Sequence, residues 1–396
     1  MSATILVTDG EQRAALAVVR SLGRAGYRCL IASKSGRSLA GASRYALRDL
    51  PLPDALAEPQ GFVAAVESLV RNEQVDLLIP ITDPAALALL PVRGRLDPAR
   101  IPFPDLAAFR QISDKAAVTS AAAEVGMAVP VQRVVASRDD SATPQAAPLR
   151  FPLVIKPARS IGESQGRRMK LGVEYATDAA DLGRRIQELP DAAFPVLLQE
   201  RITGPGVGLF VLRWQGETIA RFAHRRLREK PPSGGVSVCR ESIAIDTELA
   251  RRTDLLLDRF GWSGVAMIEF KLDAATGTPY LMEINGRFWG SLQLAVDAGV
   301  DFPRLLAEAA LGQHPAPVQH YRLGVRSRWW MGDVDVLLAR LLHSDAALAL
   351  PADAPGRLRA IAEFLRLWWP GDISEVQRWR DPAPGLLELK QWFRRS

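Results

Sequence analysis

Apolar runs alternate with amphipathic stretches in the first part of the chain, and this pattern sets the order of elements. "TILVTD" at 4–9 reads as a buried strand, and "RAALAVVRSLGRAGY" at 13–27 carries apolar residues at helical spacing with a glycine-containing stop. "RCLIAS" at 28–33 gives a second strand, and a helical pattern over 59–72 leads to a third, "VDLLIPIT", at 75–82. Strands that are apolar throughout are buried on both faces, so this rhythm predicts a parallel, doubly wound layer over the first hundred residues. The turn after the first strand reads TDGEQRAAL and lacks the G-x-G-x-x-G spacing of a dinucleotide site. Thr8, Asp9 and Gly10 stand at that strand's carboxyl end, either as ligand contacts or as an ordinary turn and helix cap.

The pattern changes after "IPFPDLAAFRQISDK". A short helix is predicted over 114–126, "AVPVQRVVAS" is extended, and 137–150 is a polar, proline-containing loop. "FPLVIK" forms a strand ending at Lys156, followed by a basic, glycine-containing loop, "SIGESQGRR" at 160–168. Successive strands follow from "FPVLLQE" onward, broken at GPGVG and QGE. "GVAMIEFKLD" and "TPYLMEIN" then make an antiparallel hairpin around "AATG". From 314 onward the chain is expected to be helical and rich in arginine and tryptophan, with Trp329, Trp330, Trp368, Trp369, Trp379 and Trp392. These aromatics are expected to pack on the preceding domain or on a second protomer, which would make a homodimer; a basic amphipathic surface for a membrane is the alternative.

Composition narrows the functions. The chain has 396 residues, enough for two or three domains, and a net charge of +6 from 50 basic and 44 acidic residues. That excess is modest and spread along the chain, which suits anionic small molecules better than nucleic acid. No apolar run is long enough for a spanning helix. Cys29 and Cys239 are far apart and give no disulfide framework, so a cytoplasmic location is expected. His224, His314, His320 and His343 show no paired zinc spacing.

The second hairpin carries the chemistry. Period-2 alternation along "YLMEINGRFWGS" puts Leu281, Glu283, Asn285 and Arg287 on one side, with Met282 and Ile284 on the other. If the register sets Glu269 opposite Glu283, two carboxylates face each other, and like charges directly across a ladder destabilise it. A hard cation resolves this, since Mg²⁺ takes one or two carboxylates plus substrate phosphates, and Asn285 would add a neutral oxygen. The bland reading pairs the two glutamates with Lys271 and Arg287. Upstream, Lys115 and Lys156 flank the segment leading to the glycine-containing loop and suit a triphosphate held by point charges and backbone N–H groups.

In the order Lys115, Lys156, Gln199-Glu200, Glu269 and Glu283-x-Asn285-x-Arg287, the chain resembles the ATP-grasp superfamily. The similarity is to the group related to the carbamoyl-phosphate synthetase large chain and biotin carboxylase. The resemblance spans about 113–313. It implies a Rossmann-like pre-ATP-grasp domain over 1–112 and a grasp domain with antiparallel sheets over 113–313, in which a lid of 113–196 precedes a large subdomain of 197–313. A helical extension would occupy 314–396. It further implies that Lys115 and Lys156 contact ATP phosphates, and that Gln199, Glu200, Arg201 and Ile202 form the hinge reading adenine. Glu269, Glu283 and Asn285 would hold Mg²⁺ (or Mn²⁺). Arg287 would stabilise the transferred phosphoryl group, with Arg226, Arg228 and Arg240 as substrate-facing candidates on a basic loop. An acidic ribose contact is expected after the hinge, yet GPGVGLFV has no carboxylate until Glu217. The implied activity is a carboxylate–amine ligase working through an acyl phosphate. The alternatives are a bicarbonate-activating carboxylase or carbamoyl-phosphate synthetase-like enzyme, and a non-catalytic ATP-binding regulator.

Overall fold

The structure is a computed structural model that describes residues 2–142, 149–164, 166–350, 354–366 and 372–395. Trp368 and Trp369 lie outside the described residues.

The first layer contains β1 (Thr4–Val7), α1 (Arg13–Arg24), β2 (Arg28–Ser33), β3 (Ala46–Pro51), α2 (Pro59–Asn72), β4 (Leu77–Ile79) and α3 (Asp83–Leu89). Its strands lie in the order β3-β2-β1-β4 and pair in parallel, as the continuous apolar runs require. Strand β3, "ALRDLP", carries no apolar run and escaped the sequence pattern; it is an edge strand with no fully buried residue, where charged side chains are tolerated. Two short helices follow, α4 (Leu106–Ile112) and α5 (Lys115–Glu124). The Asp114 side chain caps α5 by accepting from the N–H groups of Ala116 and Ala117.

A small antiparallel sheet comes next, in the order β5-β10-β6-β9, from β5 (Gln132–Val135), β6 (Leu153–Pro157), β9 (Glu174–Ala176) and β10 (Val196–Glu200). Between β6 and β9 the chain forms a separate hairpin, β7 (Ile161–Ser164) with β8 (Arg167–Lys170), and α6 (Ala179–Glu188) packs by β9. The large sheet has the order β15-β14-β11-β12-β13-β16-β17. Its first strands are β11 (Gly206–Trp214), β12 (Glu217–Lys230), β13 (Val236–Ser242), β14 (Gly264–Leu272) and β15 (Pro279–Asn285), with α7 (Thr247–Arg259) between β13 and β14. Helices α8 (Leu292–Ala298) and α9 (Phe302–Ala310) run between one face of this sheet and α1 of the first layer, so one apolar core joins the two units.

The C-terminal part departs from the all-helical expectation. Along with α10 (Trp330–Leu342), α11 (Arg357–Leu365) and α12 (Ala383–Arg395), it supplies β16 (Arg326–Arg328) and β17 (Asp372–Ser374) to the far edge of the large sheet. Both strands are three residues long, too short for period 2 to show. Trp329 packs under the Arg13 guanidinium at 3.9 Å and donates its indole N–H to Glu388 at 2.7 Å. Trp392 donates to Asp335, whereas Trp379 is fully exposed. The tryptophans therefore divide between internal packing and solvent.

Candidate functional site

The cleft lies where the small sheet faces β14 and β15. The register sets Glu269 directly opposite Glu283, as the alternation of the hairpin predicted. The faces differ from that prediction at two residues, Leu281 and Met282. Phe270 pairs with Leu281, so Met282 is an extra residue in β15 and forms a β-bulge. The bulge turns Leu281 into the core beside Ile284, while Met282 and Glu283 both look into the cleft.

Neither glutamate takes the partner that the bland reading assigned. Lys271 pairs with Glu229 at 3.1 Å, and the Arg287 Nε donates to Asp83 at 2.9 Å. Glu283 faces the Lys115 ammonium at 3.5 Å, and Glu269 accepts from Arg226 at 2.5 Å. The Asn285 Nδ2 donates to Oε1 of both carboxylates at 3.2 Å each, so the three side chains converge. As placed, the amide turns its N–H toward the carboxylates and its oxygen toward the Arg287 guanidinium at 3.2 Å. This differs from the oxygen-donor role expected of Asn285, and the cause is Arg287, which claims the carbonyl. Burial and the neighbouring Glu283 hold the Glu269 carboxyl above its ordinary range. Burial pushes Glu283 the same way, but Lys115 and Lys156 outweigh it and hold that carboxyl low. Two carboxylates share one half-buried spot, Glu283 beside the lysines and Glu269 beside Arg226.

Among the described residues no group of three or more His, Cys, Asp and Glu side chains could cage a metal alone. Two carboxylates and one amide are instead the donor set of a hard cation that completes its shell with water and phosphate oxygens. Glu269 and Glu283 fit Mg²⁺ or Mn²⁺ in that sense, and Asn285 would join them with its amide turned so that the oxygen faces the carboxylates.

Two cavities meet at this cluster, and both are lined by Glu283 and Asn285. One, of about 470 Å³, runs from there to the segment 199–204 and includes Lys156 and Lys271. The other, of about 440 Å³, runs toward Asp83, Lys115 and the hairpin residues Ser160–Gly162. The Gln199 and Glu200 side chains are held by neighbours: Gln199 donates to Gln132 at 2.6 Å, and Glu200 takes a two-pronged bond from Arg150, the shorter prong at 2.8 Å. Arg201 donates to the Ala349 carbonyl and lies 5.0 Å from the Tyr175 ring. With those side chains engaged elsewhere, the stretch from Glu200 to Gly204 lines the first cavity, Ile202 included. Lys156 reaches the Met282 sulfur at 3.7 Å, and Lys115 donates to Ser160 at 3.1 Å.

The basic stretch after residue 223 is a strand hairpin, β12 and β13, rather than a loop. Its register slips at Leu227, so Arg226 and Arg228 leave the sheet on opposite faces. Arg226 lines the cleft, whereas Arg228 makes a two-pronged bond to Asp333 at 2.6 and 2.7 Å on the helical side. Arg240 is fully buried below the cleft against Glu375 at 2.5 Å. Of the three arginines, the cleft receives Arg226. The same slip brings in Glu229, which accepts from Arg226 at 2.8 Å and Lys271 at 3.1 Å. A strict period of 2 from Arg226 would put Glu229 on the other face. Glu217, the first carboxylate after the hinge segment, is exposed at the opposite end of β12. Asp83, from the first layer, was also missed, since nothing in "ITDPAAL" marks it as facing Arg287.

Residues 193–332 match the family model described as ATP-grasp in the biosynthetic pathway with Ter operon. No curated protein matches the chain in sequence. Among solved structures, it is similar to an L-amino acid ligase from Bacillus licheniformis at 18% identity and a TM-score of 0.61, covering 78% of this chain and 74% of that one. A biotin carboxylase from Campylobacter jejuni gives 15% identity and a TM-score of 0.63 over 82% of this chain and 74% of its own. N5-carboxyaminoimidazole synthetase from Staphylococcus aureus gives 15% and 0.61, over 82% and 80% of the two chains. The sheet order, the opposed glutamates and these likenesses agree: the chain has the ATP-grasp fold, and residues 193–332 carry its sequence match to an ATP-grasp family.

Proposed function

We propose that this protein is an ATP-dependent ligase that activates a carboxylate as an acyl phosphate and passes the acyl group to an amine. The observation that carries this reading is the pair Glu269–Glu283, opposed across one ladder in a cleft that also holds Lys115, Lys156 and Arg287. A carboxylate resists attack by an amine because its oxygen is a poor leaving group, and phosphorylation supplies a good one. The protein's part is then positioning and neutralisation of charge. The backbone from Glu200 to Gly204 would receive the base, and Glu229 is the carboxylate available to the ribose. Lys115 and Lys156 would hold phosphates, and Arg287 would steady the group in transfer. A divalent cation on Glu269, Glu283 and Asn285 would neutralise phosphate charge when bound. The β7–β8 hairpin flanks the second cavity and would shield the acyl phosphate from water.

The test is ADP release from MgATP with pooled amino acids and small organic acids as acceptors. Acceptor-dependent release supports the ligase. Release driven by bicarbonate alone would favour the carboxylase reading, and nucleotide binding with no turnover over the whole panel would favour a regulator.

Lys156 gives a pH dependence. Its burial, with the Lys115 ammonium adding to it against the pull of Glu283, lowers its pKa to about 8. The cleft therefore loses a positive charge as pH rises through that value, and affinity for MgADP is expected to fall across it. Calorimetric titration on both sides of this pH checks the expectation; an affinity that stays flat would remove Lys156 from the phosphate site.

A further inference from the structure

Arg287 is held from the first layer of the protein. Its Nε donates to the Asp83 carboxylate at 2.9 Å, while its two terminal nitrogens donate to the Phe288 carbonyl at 3.1 Å and to Asn285 at 3.2 Å. A guanidinium is a rigid fork, so three acceptors in three directions fix its plane. Asp83 is the charged one of the three. Without it, the carboxylates remaining to attract Arg287 are Glu283 and Glu269, the same charges that a cation would need.

Asp83 is itself anchored. It opens α3 directly after Thr82, whose hydroxyl accepts from the Ala85 N–H and donates to Asp9 at 2.9 Å. Asp9 also accepts from the Thr8 hydroxyl at 2.6 Å and from the N–H groups of Ile81 and Thr82 at 3.2 Å each. These four donors hold the Asp9 carboxylate in place. Its backbone sits at φ +57°, a left-handed conformation that aspartate tolerates better than most residues. A Cβ on the next residue, Gly10, would fall 2.3 Å from the Ser38 hydroxyl, so the turn requires glycine. Through these bonds the stretch Thr8-Asp9-Gly10 ties the end of β1 to the start of α3.

We propose that Asp83 is a positioning residue for Arg287, and that Asp9 and Thr82 hold it there, so that the first layer completes the phosphoryl-transfer site. The proposal rests on the ligase reading and deepens it. The experiment compares Asp83→Asn, Thr82→Val, Arg287→Lys and the double variant Asp83→Asn/Arg287→Lys, with ADP release from MgATP plus the acceptor pool and MgADP binding as readouts. Asp83→Asn should lower ADP release about tenfold or more, the loss of one charge-assisted hydrogen bond, and leave MgADP affinity within about twofold. Thr82→Val should give a smaller loss in the same direction. In the double variant the Asp83 change should add little to Arg287→Lys, because the two act as one unit. Wild-type turnover in Asp83→Asn beside an impaired Arg287→Lys would overturn the positioning role and leave the ligase intact. Equal losses of turnover and MgADP binding would also overturn it, in favour of a structural role. Wild-type turnover in Arg287→Lys would instead count against the assignment of Arg287 in the ligase reading.

Discussion

Replacing Glu283 with glutamine is expected to reduce ADP release at least about a hundredfold, the size of effect seen when a charge-stabilising group is removed from a reacting centre. The change is nearly isosteric, so it tests charge rather than shape. It removes the carboxylate that faces Lys115 and is drawn down by both lysines, leaving Glu269 as the one carboxylate of the cation site. Glu269 already accepts from Arg226 and would be a poor cation ligand alone. Magnesium-dependent ADP binding should weaken with turnover, whereas ADP binding without the metal should change less. Rates measured with Glu283→Gln under saturating MgATP check this, and wild-type rates would remove Glu283 from the chemistry. Glu283→Asp, which keeps the charge but shortens the reach, should fall between the two.

The second large effect is on stability. Glu375, just after β17, is buried beneath the large sheet and bridges Arg13 of α1 at 2.6 Å and Arg240 of β13 at 2.5 Å. Glu375→Gln leaves two guanidinium groups facing each other in a site with little water, and should destabilise the fold by about 3 kcal/mol or more, as breaking a buried ion pair does. The melting temperature and the midpoint of urea unfolding report it; a change too small to detect would show that water reaches the cluster. Burial works against ionisation here, but the two arginines prevail and hold the Glu375 carboxyl below its ordinary value. The sign follows from linkage: its stabilisation is present in full above the ordinary carboxylate range and is lost as pH falls through the lowered value. The Asp381 carboxylate makes a parallel clamp on Arg20 at 2.8 Å, so the C-terminal part is tied to the first layer by charge as well as packing.

How far the sequence carries can be judged from particular residues. The parallel layer was visible because β1, β2 and β4 are apolar runs, and β3 was not because an edge strand needs no such run. Glu269 opposite Glu283 was legible because a hairpin with a short turn leaves few registers. Leu281 and Met282 were misassigned because one inserted residue reverses the faces beyond it, and inserted residues leave no mark in a period-2 pattern. The same mechanism separated Arg226 from Arg228 and brought Glu229 into the cleft. Arg240 was taken for a substrate-facing group because an arginine with a buried partner more than a hundred residues away looks like any other arginine in a list of letters.

The sequence by itself determined the alternation of elements and the opposed glutamates, because each depends on neighbours a few residues apart or on a single hairpin; the two lysines that go with them were marked by the resemblance. The tertiary structure decided which charges meet: Asp83 with Arg287, Glu229 with Lys271, and Glu375 with Arg13 and Arg240. Those pairs join separate parts of the fold, and a charge acquires its partner only when packing has brought the parts together.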